Sequence, residues 1–305
     1  MDDRYVVPLG DVGLDHVRLV GGKCANLGEL TGAGFPVPPG FAVTTRAYEQ
    51  DDIGDAVAQA YAELGSRVGR DDPPVAVRSS AVAEDMPDAS FAGVQDTYLW
   101  ITGIDDVLDH IRRCWASYFN PEAVSYRAEH QIARGGMSVA VQYMVDARVA
   151  GVMFTLNPVS GDPSSIAIEA SYGLGTTVVS GDVTPDSFLV SKVTRDVVRS
   201  ELGAKAVECV PDPGRRTLVQ DVDDERRARL CLAPEEIAAL AELGRRVERH
   251  FGRPQDIEWA IDRKLDELFL LQARPETVWS NRRKPVATAE NPIAAIAATY
   301  LGRNR

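Results

Sequence analysis

Residues 254–275 constrain this chain more than any other stretch. Two apolar-rich arms, 256–261 and 268–274, flank the charged run Asp262-Arg263-Lys264-Leu265-Asp266-Glu267, the pattern of a β-hairpin. With the turn centred near Leu265, Glu258 lies opposite Gln272 and Asp256 opposite Arg274. Side chains alternate between faces along a strand, so these four share one face with Ala260 and Leu270. Ile257, Trp259, Leu271 and Ala273 share the other. A solvated polar face with one cross-strand ion pair contributes under ~1 kcal/mol. A partly buried one is different, because a buried carboxylate without its partner costs about 3–5 kcal/mol and demands a counter-ion or ligand. Ala260 and Leu270 favour the second case. A carboxylate beside an amide oxygen suits a hard cation such as Mg²⁺, and an adjacent guanidinium suits a phosphate.

Upstream, Gly21-Gly22-Lys23 opens a predicted short helix with Leu27 and Leu30 inward, and a Pro/Gly-rich run leads into a strand at 41–44. A lysine at a glycine-flanked helix start can meet an anion together with free backbone N–H groups. It is no Walker A loop, since that spacing is absent and Cys24 follows the lysine. Thr45 is placed as the cap of a helix reaching Val68. A strand at 75–81 carries Arg78 at its basic end, and a second follows at 91–100. The small-residue loop between them fits either a mobile cover for a polyphosphate or an ordinary hairpin. Helices are expected at 104–119 and 121–133, with Cys114, Trp115, Tyr118, Phe119 and Tyr126 as core aromatics and thiol. Gly135-Gly136 marks a lobe boundary. Consecutive strands then fall at 139–145 and 150–155, with Gln142, Tyr143, Met144 and Val145 as either an interlobe hinge along a purine edge or plain interior strand. Further strands at 166–172 and 187–192 precede an amphipathic helix at 235–251, opened by Pro234 and closed by Gly252.

Composition narrows the classes. A net charge of −12 over 305 residues provides no basic field for nucleic acid. No run of about 18 apolar residues would span a membrane, and the N-terminus lacks the apolar core of a signal peptide. The four cysteines, Cys24, Cys114, Cys209 and Cys231, are scattered without a Cys-x-x-Cys pair, which argues for reduced thiols and a cytoplasmic location. His16, His110, His130 and His250 form no metal triad.

Taken in order, the stretches resemble the nucleotide-binding domain of the phosphoenolpyruvate synthase and pyruvate phosphate dikinase family, which includes rifampicin phosphotransferase. The landmarks are Gly-Gly-Lys-x-Ala-Asn-Leu-Gly at 21–28, Val-Pro-Pro-Gly-Phe at 37–41, Val-Arg-Ser-Ser-Ala at 77–81 and Ser-Phe-Ala-Gly-Val-Gln-Asp-Thr-Tyr at 90–98. Val-Ser-Gly-Asp-Val-Thr-Pro-Asp at 179–186, Gln-Asp-Ile-Glu-Trp-Ala at 255–260 and Leu-Gln-Ala-Arg-Pro at 271–275 complete the set. The resemblance implies an α+β, ATP-grasp-like fold with an N-terminal lobe (1–135), a C-terminal lobe (136–280) and a linker or tail (281–305). It implies ATP and Mg²⁺ as ligands. Lys23 and Arg78 would contact phosphates under a loop running from Gly93 to Thr97. Gln142, Tyr143, Met144 and Val145 would lie along the adenine, Glu258 and Gln272 would hold Mg²⁺, and Arg274 would neutralise the transferred phosphate. Glu169 and Asp186 fall in matching stretches without an assigned role. The family's phosphoryl-accepting histidine sits in a Ser-His-Ala setting that none of the four histidines has. The acceptor is thus expected on a partner domain or subunit; a small molecule phosphorylated directly and a non-catalytic ATP sensor remain the alternatives.

Overall fold

The computed structural model describes residues 4–50, 52–82, 85–86, 89–90, 96–120, 136–212, 214 and 216–279. Gly93, most of its expected loop, the expected helix at 121–133 with Tyr126, and the segment 281–305 lie outside them.

Two sheets carry the fold. The first has the order β1 (Val6–Pro8), β2 (Gly40–Val43), β7 (Met137–Tyr143), β3 (Val75–Ala81), β6 (Thr97–Ile101). All its described pairings are antiparallel. Between β3 and β6 lies a two-residue ladder, β4 (Asp85–Met86) with β5 (Ala89–Ser90). Val75, Val77, Val139 and Val141 alternate inward on one face and bury against α2 (Gly54–Val68) and α3 (Ile104–Ser117). On the opposite face Ala42 and Ala140 pack under α1 (Val17–Gly32), beside Val20, Cys24 and Leu27.

The second sheet, fully antiparallel, runs β11 (Val197–Glu201), β10 (Asp186–Ser191), β9 (Ser165–Tyr172), β8 (Ala147–Phe154), β14 (Gln255–Asp262), β15 (Leu268–Pro275). Its inner face buries Met153, Ile166, Ile168, Trp259 and Leu270 against Ile237, Leu240 and Val247 of α4 (Pro234–Phe251). That helix has the expected ends: Pro234 in the first turn, Glu236 accepting from the Ala233 N–H at 2.7 Å, and Gly252 left-handed at φ 68°. The C-terminal end of α1 joins this core through Leu30 and Phe35, so α1 touches both lobes.

A hairpin of β12 (Val207–Asp212) and β13 (Arg216–Asp221) forms its own two-stranded sheet. Its root is held by the second lobe, where Leu174 donates to the Cys209 carbonyl at 2.7 Å and Gly173, at φ 74°, meets Cys209 so closely that a Cβ would stand 2.3 Å from that oxygen. Arg216 near its tip reaches α3 of the first lobe, donating to Asp106 Oδ2 at 3.1 Å and lying 3.2 Å from His110 Nε2. The hairpin therefore straps one lobe to the other.

Three expectations are corrected. The lobe division expected at 135/136 assigns β7 to the C-terminal lobe, yet β7 pairs with β2 and β3; the change of sheet comes at residues 144–146. Strands β7 and β8 are consecutive but belong to different sheets. Thr45 caps no long helix: a 3₁₀ turn at Ala47–Glu49 intervenes, and α2 starts only at Gly54. Phe119 is half-exposed and stacks on Tyr48 rather than entering the core, while Cys114 and Trp115 are buried as expected.

Candidate nucleotide site

The C-terminal hairpin has the expected register where it matters. Glu258 pairs with Gln272 and Asp256 with Arg274. Between Glu258 and Trp259 the register slips by one, and Trp259 faces Leu270. The extra residue of this β-bulge is Leu271. Strict alternation put Leu270 on the polar face and Leu271 on the other; the bulge exchanges them. Leu270 is wholly buried in the core with Trp259, and Leu271 joins Ala260 and Phe269 on the cleft side.

Arg78 enters this face from the first lobe. Its Nη2 donates to Glu258 Oε2 at 2.9 Å and to Gln272 Oε1 at 2.6 Å, and its Nη1 donates to the Leu271 carbonyl at 3.0 Å. An acid and an amide oxygen thus converge on a single cationic nitrogen. Both are hard oxygen donors, the type a small divalent cation takes, so the residues present fit Mg²⁺. Among the described residues no group of three His, Cys, Asp or Glu is placed to hold a metal. The remaining ligands would accordingly be phosphate oxygens and water, as is usual for this ion. The Arg78 Nε is buried with no hydrogen-bond partner among the described residues, a donor pointing to an additional acceptor.

The glycine-lysine and arginine-serine motifs interlock. Gly21 breaks α1 at φ 71°, and a Cβ there would lie 2.1 Å from the Ser80 carbonyl. Only glycine permits that approach. The Ser80 hydroxyl donates to the Val20 carbonyl at 2.9 Å and accepts from the Cys24 N–H at 3.2 Å. Lys23, buried in the first turn after the break, donates to the Ser79 carbonyl at 2.7 Å. The neighbours of Lys23 and Arg78 are thus shared. Thr97 stands directly opposite Arg78 on β6. Ser79 and Ser80 as the dock for Lys23 went unnoticed as individual residues, although both lie in the quoted motif.

Gln142 and Tyr143 end β7, and Met144 and Val145 begin the link between the sheets. Gln142 is buried, with Nε2 donating to the Pro38 carbonyl at 3.3 Å. The amides of Tyr143 and Met144 donate to the carbonyls of Pro39 and Pro74 at 2.8 and 2.9 Å. Those groups serve the protein itself. Met144 and Val145 instead contribute apolar surface, in a cluster with Ala76, Ala150, Leu174, Cys209, Ala260 and the bulged Leu271. An apolar wall thus adjoins the charged trio.

Arg274 is less buried than Arg78 and donates from Nε to Asp256 Oδ2 at 3.3 Å. Burial pushes the Asp256 carboxyl up to about 6, only partly offset by Arg274 and reinforced by Glu276, and its Oδ1 is buried without a partner among the described residues. An acid whose folded pKa is raised binds protons more tightly folded than unfolded. Its contribution to stability is therefore full below the unfolded value near 4 and is lost as pH rises through about 6. Asp256→Asn is expected to raise the unfolding free energy of the ligand-free protein by about 1 kcal/mol at pH 7, and to change little at pH 4. Urea melts at the two pH values measure this; equal shifts at both would refute it.

Asp186 is structural. It is fully buried, accepts from the Gly203 and Cys231 amides at 2.8 and 2.7 Å, and pairs with the equally buried Lys205. No described helix is long and apolar enough to cross a membrane.

Two antiparallel sheets joined by a short link, with a guanidinium of one facing an acid and an amide of the other, make this an α+β protein with a candidate phosphate site between its sheets. The comparisons name the family. Residues 17–51 and 50–294 match the profile described as pyruvate phosphate dikinase, AMP/ATP-binding domain, and the chain belongs to that family. It is 43% identical over 320 residues to a probable phosphoenolpyruvate synthase of Methanothermobacter thermautotrophicus, covering 90% of this chain and 46% of that protein. It is 40% identical over 337 residues to a phosphoenolpyruvate synthase of Pseudomonas aeruginosa, covering 91% and 42%. The chain thus spans less than half the length of these relatives. Among solved structures it is similar to a dinucleotide-forming acetyl-coenzyme A synthetase 1 of Ca. Korarchaeum cryptofilum, at TM-score 0.40 and 12% identity, covering 90% of this chain and 94% of that one.

Proposed function

We propose that this chain is the nucleotide-binding part of a dikinase-type phosphotransferase, which moves phosphate from Mg²⁺·ATP to a histidine on a partner domain or subunit. The observation that carries this reading is the convergence of Arg78, from one lobe, on Glu258 and Gln272 of the other.

Phosphoryl transfer asks the protein for position and charge rather than covalent chemistry. Glu258 and Gln272 would hold Mg²⁺, which would supply positive charge to offset that developing on the phosphates. Arg78 then turns from its carboxylate partner toward the phosphates, where its buried Nε finds an acceptor. Lys23 supports the same tail from the start of the second segment of α1. Arg274, more exposed and beyond Glu258 along the hairpin, neutralises the group in transit. The apolar wall of Met144, Val145, Ala260 and Leu271 takes the adenine, with Gln142 and Tyr143 bracing the link behind it. Thr97, opposite Arg78 on β6, stands beside the phosphates. Of the described histidines, His110 is buried in α3 and His250 is paired with Glu29 at 2.8 Å.

Incubation with labelled ATP and the histidine-bearing part of the Methanothermobacter relative tests the reading. AMP, a phosphohistidine and one inorganic phosphate released to water are the expected products. ADP formed with a small acceptor would instead make the chain a direct kinase, and thermal stabilisation by ATP without any turnover would make it a sensor.

A further inference from the structure

Cross-strand neighbours on the second sheet line up as Gln272, Glu258, Val152, Glu169 and Ser187. Directly opposed residues point to the same side, so Glu169 shares the cleft face with Glu258, two strands and about 9–10 Å away. Val152, Ala167 and Ser187 around it are only half-buried, leaving this part of the face open. Elsewhere in this lobe the half-buried or buried carboxylates are partnered: Glu208 by Arg226, Glu236 by Arg148, Glu248 by Lys192 and Glu258 by Arg78. Glu169 is the exception. No cation or hydrogen-bond donor meets it among the described residues, and burial alone holds its carboxyl above the usual range.

The spacing has chemical meaning. From a carboxylate through a metal to a phosphate oxygen is about 4 Å, and an in-line nucleophile stands about 3–3.5 Å from phosphorus. An atom attacking a phosphate held at Glu258 would therefore stand roughly 8–9 Å from that carboxylate, within reach of Glu169 two strands across the same face.

We propose that Glu169 is the acceptor-positioning residue, its carboxylate taking a hydrogen bond from the N–H of the acceptor imidazole so that the opposite ring nitrogen presents its lone pair to phosphorus. That nitrogen forms the N–P bond, and the P–O bond to the departing nucleotide breaks with its electron pair left on the nucleotide oxygen. The ring proton stays on the imidazole, shared with Glu169. Fixing one nitrogen as donor and the other as nucleophile is the usual service a carboxylate gives histidine. The inference rests on the histidine-acceptor reading above.

The test uses the full chain as wild type, Glu169→Gln and Glu169→Ala, with the histidine-bearing part of the Methanothermobacter relative as probe. Calorimetry gives the Mg²⁺·ATP affinity, and single-turnover quenching gives the phosphohistidine formation rate. The expected result is affinity within twofold of wild type for both variants. The transfer rate should fall about 100-fold for alanine and no more than about tenfold for glutamine, whose carbonyl still accepts the N–H. Wild-type rates in both variants would overturn the assignment, as would a tenfold loss of nucleotide affinity in the glutamine variant. Failure of the wild type itself to form phosphohistidine would overturn the histidine reading and this inference with it, and is distinguished because it needs no variant.

Discussion

Glu258→Ala is expected to lower phosphoryl transfer at least about 1000-fold at saturating Mg²⁺·ATP, and to leave the fold intact. The carboxylate is the only acid among the three groups that converge at the interlobe contact, so its loss removes the anchor that would hold the cation and the charge that cation would supply to the phosphates. Arg274→Ala is expected to act comparably on the rate by withdrawing positive charge from the group in transit. The two differ in their effect on the ligand-free protein. Removing Arg274, which is nearly half exposed, costs under ~1 kcal/mol. Removing Glu258 strands the deeper Arg78 guanidinium beside Gln272 and costs about 1–3 kcal/mol. Steady-state rates with urea melts on both proteins decide the matter. Full activity in either variant would refute the assignment of that residue.

The largest expected effect on stability lies away from the cleft. Lys205 and Asp186 have no exposed side-chain surface, and the Asp186 carboxylate also ties down the amides of Gly203 and Cys231. Lys205 in turn donates to the Gly203 carbonyl at 2.9 Å. Truncating the lysine leaves a buried carboxylate facing two amides and no counter-charge, at a cost of about 3–5 kcal/mol. Lys205→Met should accordingly lower the urea midpoint far more than any surface substitution. The double variant Lys205→Met, Asp186→Asn should recover part of the loss, because no uncompensated charge remains. A single-variant loss below ~1 kcal/mol would show that the pair is not isolated from solvent.

These two sites show what could be read in advance. The pairing of Glu258 with Gln272 and of Asp256 with Arg274 follows from counting outward from one charged turn, because antiparallel register is a local property. The bulge at Leu271 was not legible: nothing in Leu268-Phe269-Leu270-Leu271 marks which residue is extra, and the choice is made by packing against Trp259. Arg78 lies 180 residues from Glu258, so only the family resemblance brought it to the site. Asp186 had the same motif-borne standing and turned out to be a packing residue, since its partner Lys205 sits in a loop with no periodicity to expose the pair. The sheet change at residues 144–146 was hidden for a related reason. Both β7 and β8 read as apolar strands, and alternation cannot say which neighbours a strand will choose.

The strap formed by β12 and β13 has a mechanical corollary. Any motion that spreads the lobes must first detach Arg216 from Asp106 and His110, groups that are largely solvated at the arginine and aspartate. Contacts of that kind are cheap to break, on the order of 1 kcal/mol or less. The hairpin therefore acts as a detent rather than a lock: it holds the two lobes at their present spacing through contacts that cost little to release.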